Sequence, residues 1–61
     1  LLDAPKLLES KVREEAKELA EARKSEEVSW EAADLIYHVM VKLVSAGLSW
    51  EDVIRELKGR E

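Results

Sequence analysis

The sequence predicts an all-α chain: an antiparallel helical hairpin followed by a short third helix, completed into a helical bundle by association with copies of itself. Three observations lead there. Apolar residues recur at helical spacing through two long stretches, and no strand-like alternation competes with them. The chain has 61 residues and no cysteine, so it is read as a single domain, residues 1–61, with neither disulfides nor a cysteine-bound zinc to support it. A chain of this size buries only about 60% of its unfolded surface. The second long stretch is apolar on nearly every side, which asks for more cover than one neighbouring helix supplies.

Leu1–Pro5 reads as the entry to the first helix. Asp3 is its expected cap, and Pro5 is tolerated in a first turn whose amide protons have no helical partner. This helix is expected to run to about Lys24, with Leu8, Val12, Ala16, Leu19 and Ala20 as its apolar face and Glu15 at the edge of that face. Arg23-Lys24-Ser25-Glu26 is the turn, with cations at one helix C-terminus and acids at the next N-terminus. So short a connection makes the helices antiparallel neighbours.

The second helix is expected from about Glu26 to Ala46. At about 100° per residue, Glu27, Glu31, Asp34, His38, Lys42 and Ser45 share one narrow stripe. Off that stripe stand Val28, Trp30, Ala32, Ala33, Leu35, Ile36, Val39, Met40, Leu43 and Val44, so this helix is expected to be buried on most sides. Gly47 is the left-handed stop. Ser49 caps the third helix with Asp52 three residues on, a capping-box arrangement, and Leu48 is placed to staple onto Val53. Val53, Ile54 and Leu57 form its apolar face, and Gly59-Arg60-Glu61 is expected to fray.

Formal net charge is −4, from 14 acidic and 10 basic residues, which argues against a nucleic-acid partner and suits a protein that binds cations. No apolar run approaches the ~20 residues of a membrane helix, and no signal peptide is visible. The absence of cysteine fits a reducing compartment, so the expected location is the cytoplasm.

Two acidic pairs carry the chemistry. Glu15 and Glu18 stand three apart on the first helix, and Glu31 and Asp34 stand three apart on the second, so each pair projects to one side. An antiparallel hairpin can bring both pairs face to face. Unneutralised, such a cage repels itself and takes up protons. A hard divalent cation resolves the repulsion, and oxygen-only ligands suit Mg²⁺, with Mn²⁺ as the alternative, over zinc or copper. Mg²⁺ prefers a few carboxylates plus water and substrate phosphates, so the chemical reading is a polyphosphate site. Against it stands a plain solvated acidic face, the ordinary reading for Glu15 and Glu18 in so charged a chain. Lys11, one turn before Glu15, is read either as a phosphate contact or as the partner of Glu15 in an i,i+4 salt bridge. His38, one turn past Asp34, is read as a hydrogen-bonded structural residue, with a catalytic role or one supporting the metal-binding acids as the functional alternative. No serine has the partners of an activated nucleophile.

The run Lys11-Val12-Arg13-Glu14-Glu15-Ala16-Lys17-Glu18-Leu19, then Trp30-Glu31-Ala32-Ala33-Asp34-Leu35-Ile36-Tyr37-His38, resembles the phosphoribosyl-ATP pyrophosphohydrolases of histidine biosynthesis, within the all-α nucleotide pyrophosphohydrolases of the dimeric dUTPase and MazG type. Ala46-Gly47-Leu48-Ser49-Trp50-Glu51-Asp52-Val53 resembles the family's closing segment. The resemblance covers Leu7 to about Leu57. It implies hydrolysis of phosphoribosyl-ATP to phosphoribosyl-AMP and pyrophosphate, with Glu15, Glu18, Glu31 and Asp34 as Mg²⁺ ligands. It further implies Glu14 or Glu15 as the acid that activates water, Lys11 as a phosphate contact, and a homodimer or higher homo-oligomer. Family members usually carry an N-terminal helix and a Gly-Ser-Tyr-Thr-like segment that this chain is expected to lack. Two rival functions keep the fold: hydrolysis of another nucleoside triphosphate, and a non-catalytic oligomerisation module.

Overall fold

The computed structural model describes residues 4–60, which form three helices: α1, Ala4–Glu21; α2, Ser25–Ser45; and α3, Trp50–Lys58. The expected cap Asp3 and the terminal Glu61 lie outside the described residues. The all-α expectation holds, with no strand among the described residues.

The turn between α1 and α2 comes earlier than expected, at residues 22–24, because α1 stops at Glu21 and not near Lys24. Glu27 explains the difference. Its Oε1 accepts from the Arg23 amide at 3.3 Å and the Lys24 amide at 3.2 Å. Lys24 is thereby held extended, at φ −81° and ψ 147°, as the residue that opens α2. Those two amides go to a side chain of the next helix and leave the ladder of α1.

α2 ends in a Schellman arrangement. The Gly47 amide donates to the Val44 carbonyl at 3.0 Å and the Leu48 amide to the Leu43 carbonyl at 2.8 Å. Gly47 takes the left-handed φ of 76° that this closure needs. α3 then leaves at 105° to α2. Its start is the expected capping box: the Ser49 amide donates to Asp52 Oδ2 at 2.8 Å, and Arg55 donates to Asp52 Oδ1 at 2.9 Å. Leu48 and Val53 line one hollow, as the staple requires. Gly59 and Arg60 do not fray; their amides bond to the carbonyls of Arg55 and Leu57.

α1 packs along α2. Glu18 meets Glu31 near the turn, Glu15 meets His38 midway, and Leu8 shares a hollow with Lys42 farther out, so the two run antiparallel. The molecule measures 37 × 34 × 14 Å. A helix with its side chains is about 10–12 Å across, so the thin dimension is a single layer of helices. The radius of gyration is 13.0 Å, against the about 10.5 Å that compact packing of this length gives.

Within the single chain, the one layer leaves most sides of α2 open. No hydrophobic side chain among the described residues is buried, and α2 has no buried residue. Trp30 is 70% and Val44 75% exposed, with Ile36, Tyr37, Met40 and Val41 also open. One neighbour covers one flank of a helix, and the apolar residues on the others face outward. No single helix among the described residues is long and apolar enough to cross a membrane.

Candidate functional site

The one buried residue among those described is Glu15, at 8% exposure. Leu8, Val12 and Leu19 stand seven and three residues before it and four after, so Glu15 lies within the apolar stripe of α1 where it meets α2. A carboxylate removed from water is costly without compensation. The compensation comes from α2, where His38 Nδ1 lies 2.6 Å from Glu15 Oε1. The same ring nitrogen donates to the Asp34 carbonyl at 3.0 Å. That bond follows from helix geometry, since Asp34 and His38 stand one turn apart.

Glu31 lies closer to the turn. Its carboxyl is held above the ordinary glutamate range, first by burial and then by Glu18, Asp34 and Glu15. Glu18 stands close to it on the facing side of α1. Glu31 thus meets Glu15 and Glu18 across the helices, with Asp34 beside it on α2. Glu15 Oε1 and Glu31 Oε1 are both buried with no hydrogen-bond partner. An acidic hollow of about 260 Å³ opens beside them, lined by Glu18, Glu21, Ala22, Glu27 and Glu31.

The remaining candidates fall outside the seam. Glu14 is exposed and accepts from Lys11 Nζ at 3.3 Å. The expected i,i+4 pair of Lys11 with Glu15 is thus an i,i+3 pair with Glu14. That bond, then the charge of Glu14, holds the Lys11 ammonium above its ordinary pKa. Lys11 also borders an apolar hollow of about 290 Å³ shared by Leu7, Leu8, Tyr37, His38 and Val41.

Sequence reasoning missed Glu21 and Glu27 as walls of the acidic hollow, and it placed Glu15 at the rim of the apolar face. The signal for Glu15 was present in its flanking by Leu8, Val12 and Leu19. Glu27 was already on the stripe of α2, but its capping role depends on where the turn closes.

Chemically the seam is an all-oxygen donor set with two unpartnered buried oxygens. That suits a hard divalent cation, which satisfies such oxygens and cancels the repulsion that raises Glu31. In the present rotamers no three of these side chains close to one coordination shell among the described residues. Side-chain rotation is what a cation would require of them.

Comparison with known proteins gives a consistent set of relatives. The family described as phosphoribosyl-ATP pyrophosphohydrolase matches residues 1–61. The histidine biosynthesis trifunctional protein of Saccharomyces bayanus is 49% identical over 57 residues, 93% of this chain and 7% of that protein. The histidine biosynthesis bifunctional protein of Schizosaccharomyces pombe is 46% identical over 57 residues, 93% of this chain and 14% of that protein. A phosphoribosyl-ATP pyrophosphatase of Limosilactobacillus fermentum is 48% identical over 54 residues, 84% of this chain and 51% of that protein. The chain thus spans a small fraction of the multifunctional relatives and about half of the bacterial one. No solved structure matches the chain.

Proposed function

The chain belongs to the phosphoribosyl-ATP pyrophosphohydrolase family, and from that premise we propose that residues 1–61 are a single all-α domain that hydrolyses phosphoribosyl-ATP to phosphoribosyl-AMP and pyrophosphate. The observation that supports the reading is the approach of Glu15 and Glu18 to Glu31 across the helices, with Asp34 beside Glu31 and two buried carboxylate oxygens unspent. These four residues would hold Mg²⁺, with Mn²⁺ as a substitute. When bound, the metal supplies neutralisation of phosphate oxygens and lowers the pKa of water.

The chain's own residues do the rest. Glu31 and Asp34 from α2, and Glu15 and Glu18 from α1, would hold the cation at the seam, where it would supply charge to neutralise triphosphate oxygens. One carboxylate takes a proton from the attacking water as its oxygen bonds to phosphorus, the α–β bridge breaks, and pyrophosphate leaves. Of the two acids anticipated for this step, Glu15 has the better support, because it has an unpartnered oxygen inside the seam. Glu14 is at the surface, spent on Lys11. Lys11, protonated and exposed one turn from Glu15, would meet a phosphate as a point charge.

The outward apolar face supports a homodimer or higher homo-oligomer. Trp30, Tyr37, Met40 and Val44 are open in the single chain, and Tyr37, Met40, Val41, Val44 and Ser45 line a hollow of about 410 Å³. The proposed setting is the cytoplasm, and the partners are a nucleotide substrate and copies of this chain. The test is a substrate panel of phosphoribosyl-ATP, ATP and dUTP with product analysis. Preferential release of pyrophosphate from phosphoribosyl-ATP supports the reading. Preference for another triphosphate replaces the substrate and keeps the site. No release from any of them removes the catalytic proposal.

A further inference from the structure

We infer that His38 is a positioning residue that holds the Glu15 carboxylate in the seam, an inference that rests on the cation site proposed above. Glu15 is the acid of the four that faces a ring nitrogen of the opposite helix. Its Oε1 sits 2.6 Å from His38 Nδ1, and the ring is itself tethered at 3.0 Å to the Asp34 carbonyl. A carbonyl oxygen only accepts, so Nδ1 carries a hydrogen. The N–H points at the Asp34 carbonyl, and Glu15 Oε1 lies beside that axis, drawn by the N–H dipole without a directed bond of its own. The oxygen is therefore held in place while its lone pairs stay available to a ligand. Tyr37 restrains the ring from the side, its own ring meeting it edge-on at 5.0 Å and 86°. His38 thus links a ligand candidate on α1 to the backbone beneath a ligand candidate on α2, and sets their spacing. Its side chain is 22% exposed.

Residues that orient metal-binding groups typically change metal affinity by about 10–100-fold when removed. The test is Mn²⁺ binding to the full chain, read from the loss of the free-ion electron paramagnetic resonance signal, with metal-free thermal melts alongside. His38→Phe keeps a ring and deletes the N–H, and is expected to weaken Mn²⁺ binding about 10–100-fold. His38→Asn returns an N–H donor near the Nδ1 position and is expected to recover most of that loss. Equal Mn²⁺ affinity in wild type and a folded His38→Phe overturns the inference and leaves the cation site standing. A His38→Asn as weak as His38→Phe also overturns it, because the donor is then not the cause. No Mn²⁺ binding by the wild type removes the cation site and this inference with it. Should His38→Phe not fold, the ring tautomer of the wild-type chain decides. Long-range proton–nitrogen correlation is expected to show the hydrogen on Nδ1, and a hydrogen on Nε2 alone overturns the inference.

Discussion

Glu15 Oε1 on α1 and His38 Nδ1 on α2 stand 2.6 Å apart, the one close contact of a side-chain carboxylate with a side-chain nitrogen between helices among the described residues. The lysine and arginine ion pairs, Lys11–Glu14, Arg13–Glu9, Lys17–Glu21 and Arg55–Asp52, each join residues three or four apart in one helix. Such exposed pairs contribute about 0–1 kcal/mol each. The hairpin's polar coupling is therefore concentrated where the four acids of α1 and α2 approach, and stability and chemistry meet at the same residues.

Glu31→Gln and Asp34→Asn are expected to keep the helical circular dichroism of the wild type and to lower pyrophosphate release at least about 100-fold, in line with the loss of transition-state charge stabilisation. Neither side chain supports a cap or a buried apolar contact, so the fold does not depend on its charge. Turnover near the wild-type rate in both variants would remove the proposed site.

Glu31 also sets a pH dependence. Its carboxyl is raised above the ordinary glutamate range by burial and by Glu18, Asp34 and Glu15. In the window between the ordinary and the raised value, the native chain holds a proton that the unfolded chain has released. The associated stability is fully present below the ordinary value and is lost as pH rises through that window. With chelator present, Glu31→Gln is expected to melt above the wild type at neutral pH, the gap closing as pH falls to the ordinary glutamate range. A gap that stays constant with pH would contradict this. Asp52 works in the opposite sense: the Ser49 amide and then Arg55 lower its pKa, so its contribution is present above the ordinary aspartate value and lost as pH falls.

Gly47→Ala isolates backbone strain. A Cβ at this position meets nothing within 4 Å, so sterics with neighbours are absent and only the φ of 76° penalises alanine. The expected cost is about 1 kcal/mol, read from urea unfolding curves. An unchanged midpoint would mean that α2 closes in another way.

Association is tested at Val44. It is among the most open large apolar residues of α2, in the face that one chain leaves uncovered. Val44→Asp is expected to weaken self-association at least about tenfold, equivalent to about 1.4 kcal/mol, in sedimentation velocity experiments. A wild-type chain that sediments as a monomer at every concentration would contradict the oligomer.

Much of this was legible in the sequence for identifiable reasons. Local chemistry transferred well: Gly47 as the stop and Ser49 with Asp52 as the cap follow from bonds between residues a few positions apart. The approach of Glu31 to Glu15 and Glu18 was readable because two i,i+3 pairs on antiparallel helices have few ways to meet. The end of α1 was not, because a side chain of α2, Glu27, decides it. Helical periodicity showed which residues of α2 want burial, but whether one neighbour can bury them is a matter of how many layers the chain forms. The contact of His38 with Glu15 required the axial register of the helices, which apolar spacing leaves free by a residue or more. Lys11 went to Glu14 because three-apart and four-apart partners compete at nearly equal energy on a solvated face.

The central claim is that the carboxylates of α1 and α2 hold a divalent cation that supports cleavage of a nucleoside triphosphate. The most direct measurement is pyrophosphate release from phosphoribosyl-ATP by the purified chain, with Mg²⁺ and with excess chelator. The account predicts release with Mg²⁺, its loss with chelator, and its return when Mg²⁺ is restored. Release that continues undiminished in excess chelator would contradict it.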